Sequence, residues 1–122
     1  MYQKLVIVGR LGKDPEQRFT PTGQAVTSFP VATDRQYTDQ GGQPVKETVW
    51  FRVTAWGKLA ETCGAHLVKG KLVLVEGRVN VSAYIDKEQK PAASLELTAN
   101  TVKFLSAKEP TDTAEQQDEY PF

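Results

Sequence analysis

The chain has 122 residues, one cysteine and equal numbers of basic and acidic side chains, so its formal net charge is zero. A domain of this length buries roughly two thirds of its unfolded surface, and we expect one domain that needs neither a disulfide nor a metal. The single thiol, Cys63, excludes a disulfide framework and favours a reducing, cytoplasmic location. No segment is long and apolar enough to span a membrane, and the first residues lack the pattern of a signal peptide.

The charges are unevenly distributed along the chain. Residues 1–107 contain fourteen Lys and Arg against ten Asp and Glu, which gives this part a charge of +4. Residues 108–122 contain one Lys against five acidic residues, which gives −4. A mildly basic body with an acidic tail is compatible with a nucleic-acid partner, although the whole chain is neutral on average.

Five segments alternate apolar and polar residues as half-buried β-strands do. They are residues 4–11, 25–33, 48–56, 71–81 and 94–101. Turn-forming residues separate them. Pro30 lies inside the second segment, where a strand tolerates proline only at an edge or a bulge. The pattern predicts a mainly β protein.

The third segment has two faces of different chemistry, because successive side chains of a strand point in opposite directions. One face is apolar and should point into a core: Val49, Phe51, Val53 and Ala55. The other face carries two indoles with a cation between them: Trp50, Arg52, Thr54 and Trp56. This second face either packs against a sheet, helix or subunit, or forms an exposed surface that stacks bases and neutralises phosphates.

One helical pattern lies between the third and fourth strands. The residues of its predicted buried stripe recur at spacings of three and four: Leu59, Thr62, Cys63, His66 and Leu67. Gly70 is predicted to end this helix as its C′ residue. We interpret His66 as a packing or surface histidine, because no second His or Cys is placed to help it bind a metal.

The order strand, strand, strand, helix, strand, strand is that of the OB-fold. We therefore predict an all-β protein, a five-stranded OB-fold Greek-key barrel over residues 1–105 with one short helix between strands 3 and 4. In this fold the second and third strands and their loops bind oligonucleotides or oligosaccharides. Because Trp50 and Trp56 fall on the third strand, this order favours a binding surface over simple packing.

The composition changes after Leu105. Residues 106–117 contain almost nothing to bury, and we expect them to form a flexible, disordered linker. The last five residues combine two acids with two aromatic rings and a proline: Asp118, Glu119, Tyr120, Pro121 and Phe122. A pocket with an apolar floor and a basic rim would accept such a peptide, so we predict a partner-docking tip, with accidental composition as the alternative.

Four groups of residues form recognisable motifs. They are Val8-Gly9-Arg10-Leu11-Gly12-Lys13-Asp14-Pro15-Glu16, Trp50-Phe51-Arg52-Val53 leading to Trp56-Gly57-Lys58-Leu59-Ala60-Glu61, Lys69-Gly70 through Val75-Glu76-Gly77, and the acidic end of the chain. In this order and spacing they resemble the bacterial single-stranded DNA-binding protein family over nearly the whole chain. The resemblance implies a homotetramer of OB-folds that coats single-stranded DNA in the cytoplasm, associated with the nucleoid. It also implies recruitment of replication, recombination and repair proteins through the C-terminal tip.

The same resemblance assigns roles to individual residues. The base-stacking positions of the family fall on four aromatic residues: Trp50, Trp56, Tyr37 and Tyr84. Its phosphate contacts fall on Arg52, Lys58 and Lys69. Four further cations either line the same DNA path or simply face solvent: Arg10, Lys46, Lys71 and Arg78.

The chain departs from the family pattern at two places. Residues 80–83 are uncharged, where members often carry several basic residues before the aromatic position occupied here by Tyr84. Fewer phosphates would therefore be neutralised in this segment. The predicted linker is also short, about a dozen residues, which gives a flexible reach on the order of 20 Å.

Other function classes find less support in the sequence. Residues 9–12 lack the Gly-Lys-Ser/Thr ending of a phosphate-binding loop, and the only compact acid cluster lies in the tail, where nothing rigid could position catalytic groups. We therefore expect neither an enzyme nor a bound cofactor. A protein- or sugar-binding OB module is the alternative, although it explains neither the spread of basic residues nor the tail.

Overall fold

A computed structural model describes residues 1–105 of the chain. The linker predicted at 106–117 and the tip predicted at 118–122 lie outside the described residues. The elements, in chain order, are β1 Leu5–Leu11, β2 Glu16–Phe19, β3 Ala25–Thr38, β4 Pro44–Trp56, α1 Gly57–His66, β5 Leu72–Ile85 and β6 Pro91–Phe104.

Five of the strands close into a barrel. Their order is β1-β5-β6-β4-β3, and a short antiparallel pairing of β3 with β1, at Val31 and Ala32, closes the circle. All pairings are antiparallel except that of β4 with β6, where Phe51 lies opposite Leu95 and Thr54 opposite Thr98. The predicted five-stranded barrel with one helix between its third and fourth strands is confirmed.

The barrel core consists of the apolar faces that the alternation predicts. Its largest fully buried side chains are Phe29, Val31, Val53, Val73, Val75 and Leu97. Helix α1 covers this core with Ala60 and Cys63, both buried, and Leu67 follows just after the helix. The hydroxyl of Thr27 donates a 2.6 Å hydrogen bond to the Ala60 carbonyl, which ties the helix to β3.

Strand β2 was not predicted. Its four residues are all exposed, so its sequence has no apolar alternation to reveal it. Pairing with Ala25–Ser28 of β3 holds it beside the barrel instead. The predicted helix end was also wrong: α1 ends at His66, and Gly70 lies in the following turn at φ +91°.

Two ribbons of paired strands extend beyond the barrel. In the first ribbon, residues 33–38 of β3 and 44–49 of β4 pair only with each other. In the second ribbon, the outer parts of β5 and β6 pair only with each other, and the last pair is Ile85 with Pro91. Val49 lies on the first ribbon and is 40% exposed, so the prediction that it points into the core was wrong. Among residues 1–105 no second layer covers this side chain.

Pro30 fits inside β3 because, along one edge of β3, the paired strand changes from β2 to β1 at that residue. Its carbonyl accepts a hydrogen bond from the Gly12 amide at 3.0 Å, so its nitrogen also points away from β4. On that side, β2 pairs with β3 up to Ser28, and β1 pairs with it from Val31. The missing N–H therefore falls in a gap between two partner strands and removes no hydrogen bond from the β3–β4 ladder.

Candidate nucleic-acid interface

The outward face of β4 presents the two tryptophans predicted to be exposed. Trp50 is 53% exposed and Trp56 is 45% exposed, and Arg52 between them is also exposed. The residues that alternate with them, Phe51 and Val53, are buried. Neither indole is enclosed by the described residues, so a second layer of this domain does not account for them.

A groove of about 690 Å³ runs beside Trp50 and Arg52. Its walls come from β3 and β4, from the ends of β5 and β6 that pair with each other, and from the connection between β1 and β2. The side chains that matter for binding are Lys13, Asp14, Glu16, Trp50, Arg52 and Tyr84. The groove thus combines two exposed aromatic rings, those of Trp50 and Tyr84, with two cations and two carboxylates. A stacked base and its phosphate would find complementary groups in it.

Tyr84 reaches this groove from the ribbon of β5 and β6, whereas Tyr37 lies elsewhere. Tyr37 pairs with Val45 on the ribbon of β3 and β4 and shares the face of that residue. Trp50 is five positions from Val45 and therefore points from the opposite face. The structure brings together Trp50, Arg52 and Tyr84, and it places Tyr37 apart from them.

Tyr37 has its own cationic neighbour, Arg35, which the sequence did not single out. The Arg35 guanidinium carbon lies 4.7 Å from the centre of the Tyr37 ring, within the range of a cation–π contact. Arg35 also pairs with Glu47 across the ribbon at 3.0 Å. Alternation could have placed Arg35 and Tyr37 on one face, since they are two residues apart on one strand.

The other predicted phosphate contacts are spread around the barrel. Lys58 is exposed in the first turn of α1, and Arg78 is exposed on β5 opposite Thr98. Lys46 lies on the ribbon of β3 and β4, 3.8 Å from the carboxylate of Asp34. An exposed pair of this kind contributes about 0–1 kcal/mol, so Lys46 remains available to a phosphate.

Lys69 and Lys71 lie in the connection from α1 to β5, which hydrogen bonds hold against β1. The Lys69 amide donates to an Asp14 carboxylate oxygen at 2.8 Å, and the guanidinium of Arg10 donates to the Gly70 carbonyl at 3.0 Å. The Leu11 amide donates to the Lys71 carbonyl at 3.0 Å. Arg10 therefore has a structural role besides its predicted one.

Lys13 is the groove residue that sequence reasoning missed. It lies between β1 and β2, where neither strand alternation nor helical spacing applies. Its only signal was its place in the Gly12-Lys13-Asp14 part of the first motif. In residues 1–105 no group of three or more His, Cys, Asp or Glu is placed to hold a metal, and no helix is long and apolar enough to cross a membrane.

Residues 2–105 match the sequence profile of the Single-strand binding protein family, which is most of the chain. The chain belongs to this family. Two bacterial relatives are called single-stranded DNA-binding protein. The protein of Neisseria meningitidis serogroup A is 41% identical over 105 residues, which is 86% of this chain and 60% of that protein. The protein of Thermotoga maritima is 36% identical over 118 residues, which is 97% of this chain and 83% of that protein.

A solved structure shares the fold. The SSB of Plasmodium falciparum, solved in complex with ssDNA, superposes with a TM-score of 0.76 at 21% identity, over 87% of this chain and 97% of that one. At this identity the likeness concerns the fold alone. This chain spans only 60% of the length of its Neisseria relative.

Proposed function

We propose that this protein binds single-stranded DNA with little sequence preference and is not an enzyme. The observation that carries the proposal is the outward face of β4, where two half-exposed indoles flank an exposed guanidinium, and Trp50 and Arg52 line an open groove. Every base has a π-face to stack on an indole, and every linkage carries a negative charge. Membership of the Single-strand binding protein family and the names of its bacterial relatives support the same function.

Base contacts would come from Trp50, Trp56, Tyr84 and Tyr37. Each stacked base contributes about 1–3 kcal/mol in complexes of this kind. Trp50 and Tyr84 line one groove, so they would hold neighbouring nucleotides of one segment. Tyr37 lies on the other face of its ribbon, and the strand would have to pass around that ribbon to reach it.

Phosphate contacts would begin with Arg52 and Lys13, the cations of the groove. Six further cations lie outside the groove and would extend the path of the phosphates: Lys58, Lys69, Lys71, Arg10, Lys46 and Arg78. Asp14 and Glu16 would repel a phosphate placed next to them. The DNA backbone should therefore approach Lys13 from the Arg52 side of the groove, with a base rather than a phosphate beside the two carboxylates.

We further propose that the protein coats and protects single-stranded DNA during replication, recombination and repair. The acidic tip, residues 118–122, would recruit partner proteins. Removal of Phe122 alone should leave DNA affinity nearly unchanged and abolish retention of replication and repair proteins from a bacterial lysate, because a buried aromatic anchor typically contributes about 2 kcal/mol or more. Unchanged retention by the variant lacking Phe122 would reject the docking role.

A homotetramer belongs to the same proposal. Val6 on β1 and Val81 and Ile85 on β5 are large apolar side chains that are at least half exposed, and other copies of the chain would cover them. Light scattering at two protein concentrations should give a mass of four chains at both. The mass of one chain at both concentrations would contradict the tetramer without touching the DNA-binding proposal.

One titration tests the central proposal. Tryptophan emission should fall strongly when a thymine oligonucleotide is added, because a stacked base quenches an indole. Duplex DNA of equal length should cause much less quenching, and an oligosaccharide should cause none. Quenching by the oligosaccharide alone would favour the sugar-binding alternative, and emission unaffected by all three would remove the indoles from any such site.

A further inference from the structure

The indole of Trp50 occupies the space that a side chain at residue 12 would fill. A Cβ atom built on Gly12 would lie 2.5 Å from Cζ3 and 2.7 Å from Cη2 of Trp50. Ordinary van der Waals contact begins at 3.4 Å, so a methyl group at residue 12 would overlap the end of the ring. The indole therefore lies directly against the main chain of Gly12.

Backbone hydrogen bonds hold the main chain at Gly12 and at the residue before it. The Gly12 amide donates to the Pro30 carbonyl at 3.0 Å, and the preceding Leu11 pairs with Val31 where the barrel closes. Pro30 Cγ lies 3.7 Å from the same Cβ position. The end of the ring thus meets main chain that is hydrogen-bonded to β3 directly after the end of β1.

The backbone dihedrals of residue 12 do not require glycine. Gly23, Gly42, Gly57 and Gly70 have positive φ angles, which a larger residue adopts only with strain, but Gly12 does not. Gly9 differs in another way, because a Cβ there would overlap the backbone carbonyl of Ala32. At Gly12 the closest atoms belong to a side chain, and that side chain is the exposed indole of the groove.

We propose that Gly12 is a positioning residue for base stacking on Trp50, an inference that rests on the proposed function. The missing side chain lets the indole settle against fixed backbone and leaves its remaining surface, 53% of the residue, open toward the groove. A binding site needs its contact groups held within about 0.5 Å of their productive positions. A methyl group at residue 12 would have to displace the ring by about 0.9 Å to restore contact at 3.4 Å.

Alanine at residue 12 tests the inference, with Gly41→Ala as the matched control. Gly41 lies at the tip of the ribbon, has no positive φ, and its Cβ would meet only a carboxylate oxygen of Asp39 at 3.5 Å. All variants carry Trp56→Phe, so that Trp50 alone emits. Gly12→Ala should shift the Trp50 emission maximum and weaken binding of a thymine oligonucleotide at least about threefold, with an unchanged salt slope. Gly41→Ala should change neither quantity.

A double-mutant cycle separates positioning from other effects of the substitution. Trp50→Ala alone should weaken binding about 5- to 150-fold, the equivalent of one lost stack. Adding Gly12→Ala to Trp50→Ala should change the affinity by less than about twofold, because the displaced ring is gone. An equal loss in both backgrounds, or a loss below about twofold with Trp50 present, would overturn the inference.

Two further outcomes keep the inference distinct from the proposed function. Wild-type affinity in Trp50→Ala would reject stacking on Trp50, even if the emission shift of Gly12→Ala confirmed the contact. If Gly12→Ala fails to fold, thermal unfolding of the Gly12→Ala/Trp50→Ala variant decides the cause. Recovery of the fold would confirm that the ring and the methyl group compete for one space, and failure to recover would contradict it.

Discussion

Trp50 and Trp56 lie on one face of one strand, yet different parts of the protein hold them. Trp50 rests against Gly12 in the closing seam of the barrel. Trp56 ends β4 in an extended conformation, at φ −124° and ψ 151°, and is also the residue from which α1 begins. A shift of the helix would therefore move the second indole and leave the first in place.

Stacking and charge should be separable at Trp56 and Arg52. Trp56→Ala should cost about 1–3 kcal/mol of binding free energy with little change in salt dependence, whereas Arg52→Ala should lower the salt slope by about one. Lys103→Ala is the matched control, since Lys103 is exposed near the far end of β6 and does not line the groove. Oligonucleotide titrations at several salt concentrations measure both quantities. Equal slopes for wild type and Arg52→Ala would remove Arg52 from the phosphate path.

The thiol of Cys63 should make stability fall at high pH. Burial raises the pKa of Cys63 from 9.0 to about 11 in the folded protein. Below pH 9 the thiol is protonated in both the folded and the unfolded protein, so its burial contributes fully to the free energy of unfolding. Between pH 9 and 11 the unfolded state loses its proton first, and the free energy of unfolding should fall by about 2–3 kcal/mol.

Urea unfolding of the wild type and of Cys63→Ala from pH 8 to 11 would measure this contribution. All other ionisable groups are the same in both proteins, so the difference between the two curves isolates the thiol. The wild-type curve should therefore fall more steeply than that of the variant. Parallel curves would mean that the thiol is not desolvated in the folded state.

At the scale of the elements, the sequence predicted those strand segments that have one face buried in the core. Alternation located the inner halves of the strands, because residues such as Val53 and Leu97 must be apolar to be buried. It missed β2 and the ribbons, where both faces meet solvent and backbone pairing alone determines the structure. Polar pairs across the first ribbon, such as Arg35 with Glu47, show no period that would reveal a strand.

One of the hydrogen bonds that hold the connection between α1 and β5 is accepted by a carboxylate of another connection. Asp14 accepts the Lys69 amide, whereas the neighbouring Gly70 amide donates to the Leu11 carbonyl at 2.9 Å. In Asp14→Ala, hydrogen exchange of the Lys69 amide should accelerate about tenfold or more, because its acceptor is gone. The Gly70 amide is the internal control and should keep its protection. Equal acceleration at both amides would indicate that the whole connection had loosened.

At the scale of the molecule, the sequence predicted the exposed face of β4 but not the shape of the site. The side of β4 opposite the core was fixed as soon as Phe51 and Val53 were assigned to the core. That Tyr84 and Lys13 meet Trp50 depends on how far the second ribbon extends and where the β1–β2 connection runs. The alternation of apolar and polar residues predicts neither the length of that ribbon nor the course of that connection.

The opposite charges of body and tail should affect binding at low salt. Residues 108–122 carry −4 and residues 1–107 carry +4, so the tail should compete weakly with phosphate for the same cations. Deletion of residues 108–122 should modestly tighten DNA binding at low salt and have little effect at high salt, where charges are screened. Affinity that does not change with the deletion at low salt would show that the tail stays away from the cations.

The parallel pairing of β4 with β6 also has a kinetic consequence. Phe51 and Leu95 are 44 positions apart, and α1 and β5 lie between them in the chain, so this seam joins only after a large loop has closed. The groove spans the seam, with Arg52 on one side and Ser94 on the other. In a partly synthesised or partly refolded chain, an oligonucleotide should therefore not quench the tryptophan emission. In stopped-flow refolding, quenching should appear with the slowest phase, and quenching in an earlier phase would place the closing step elsewhere.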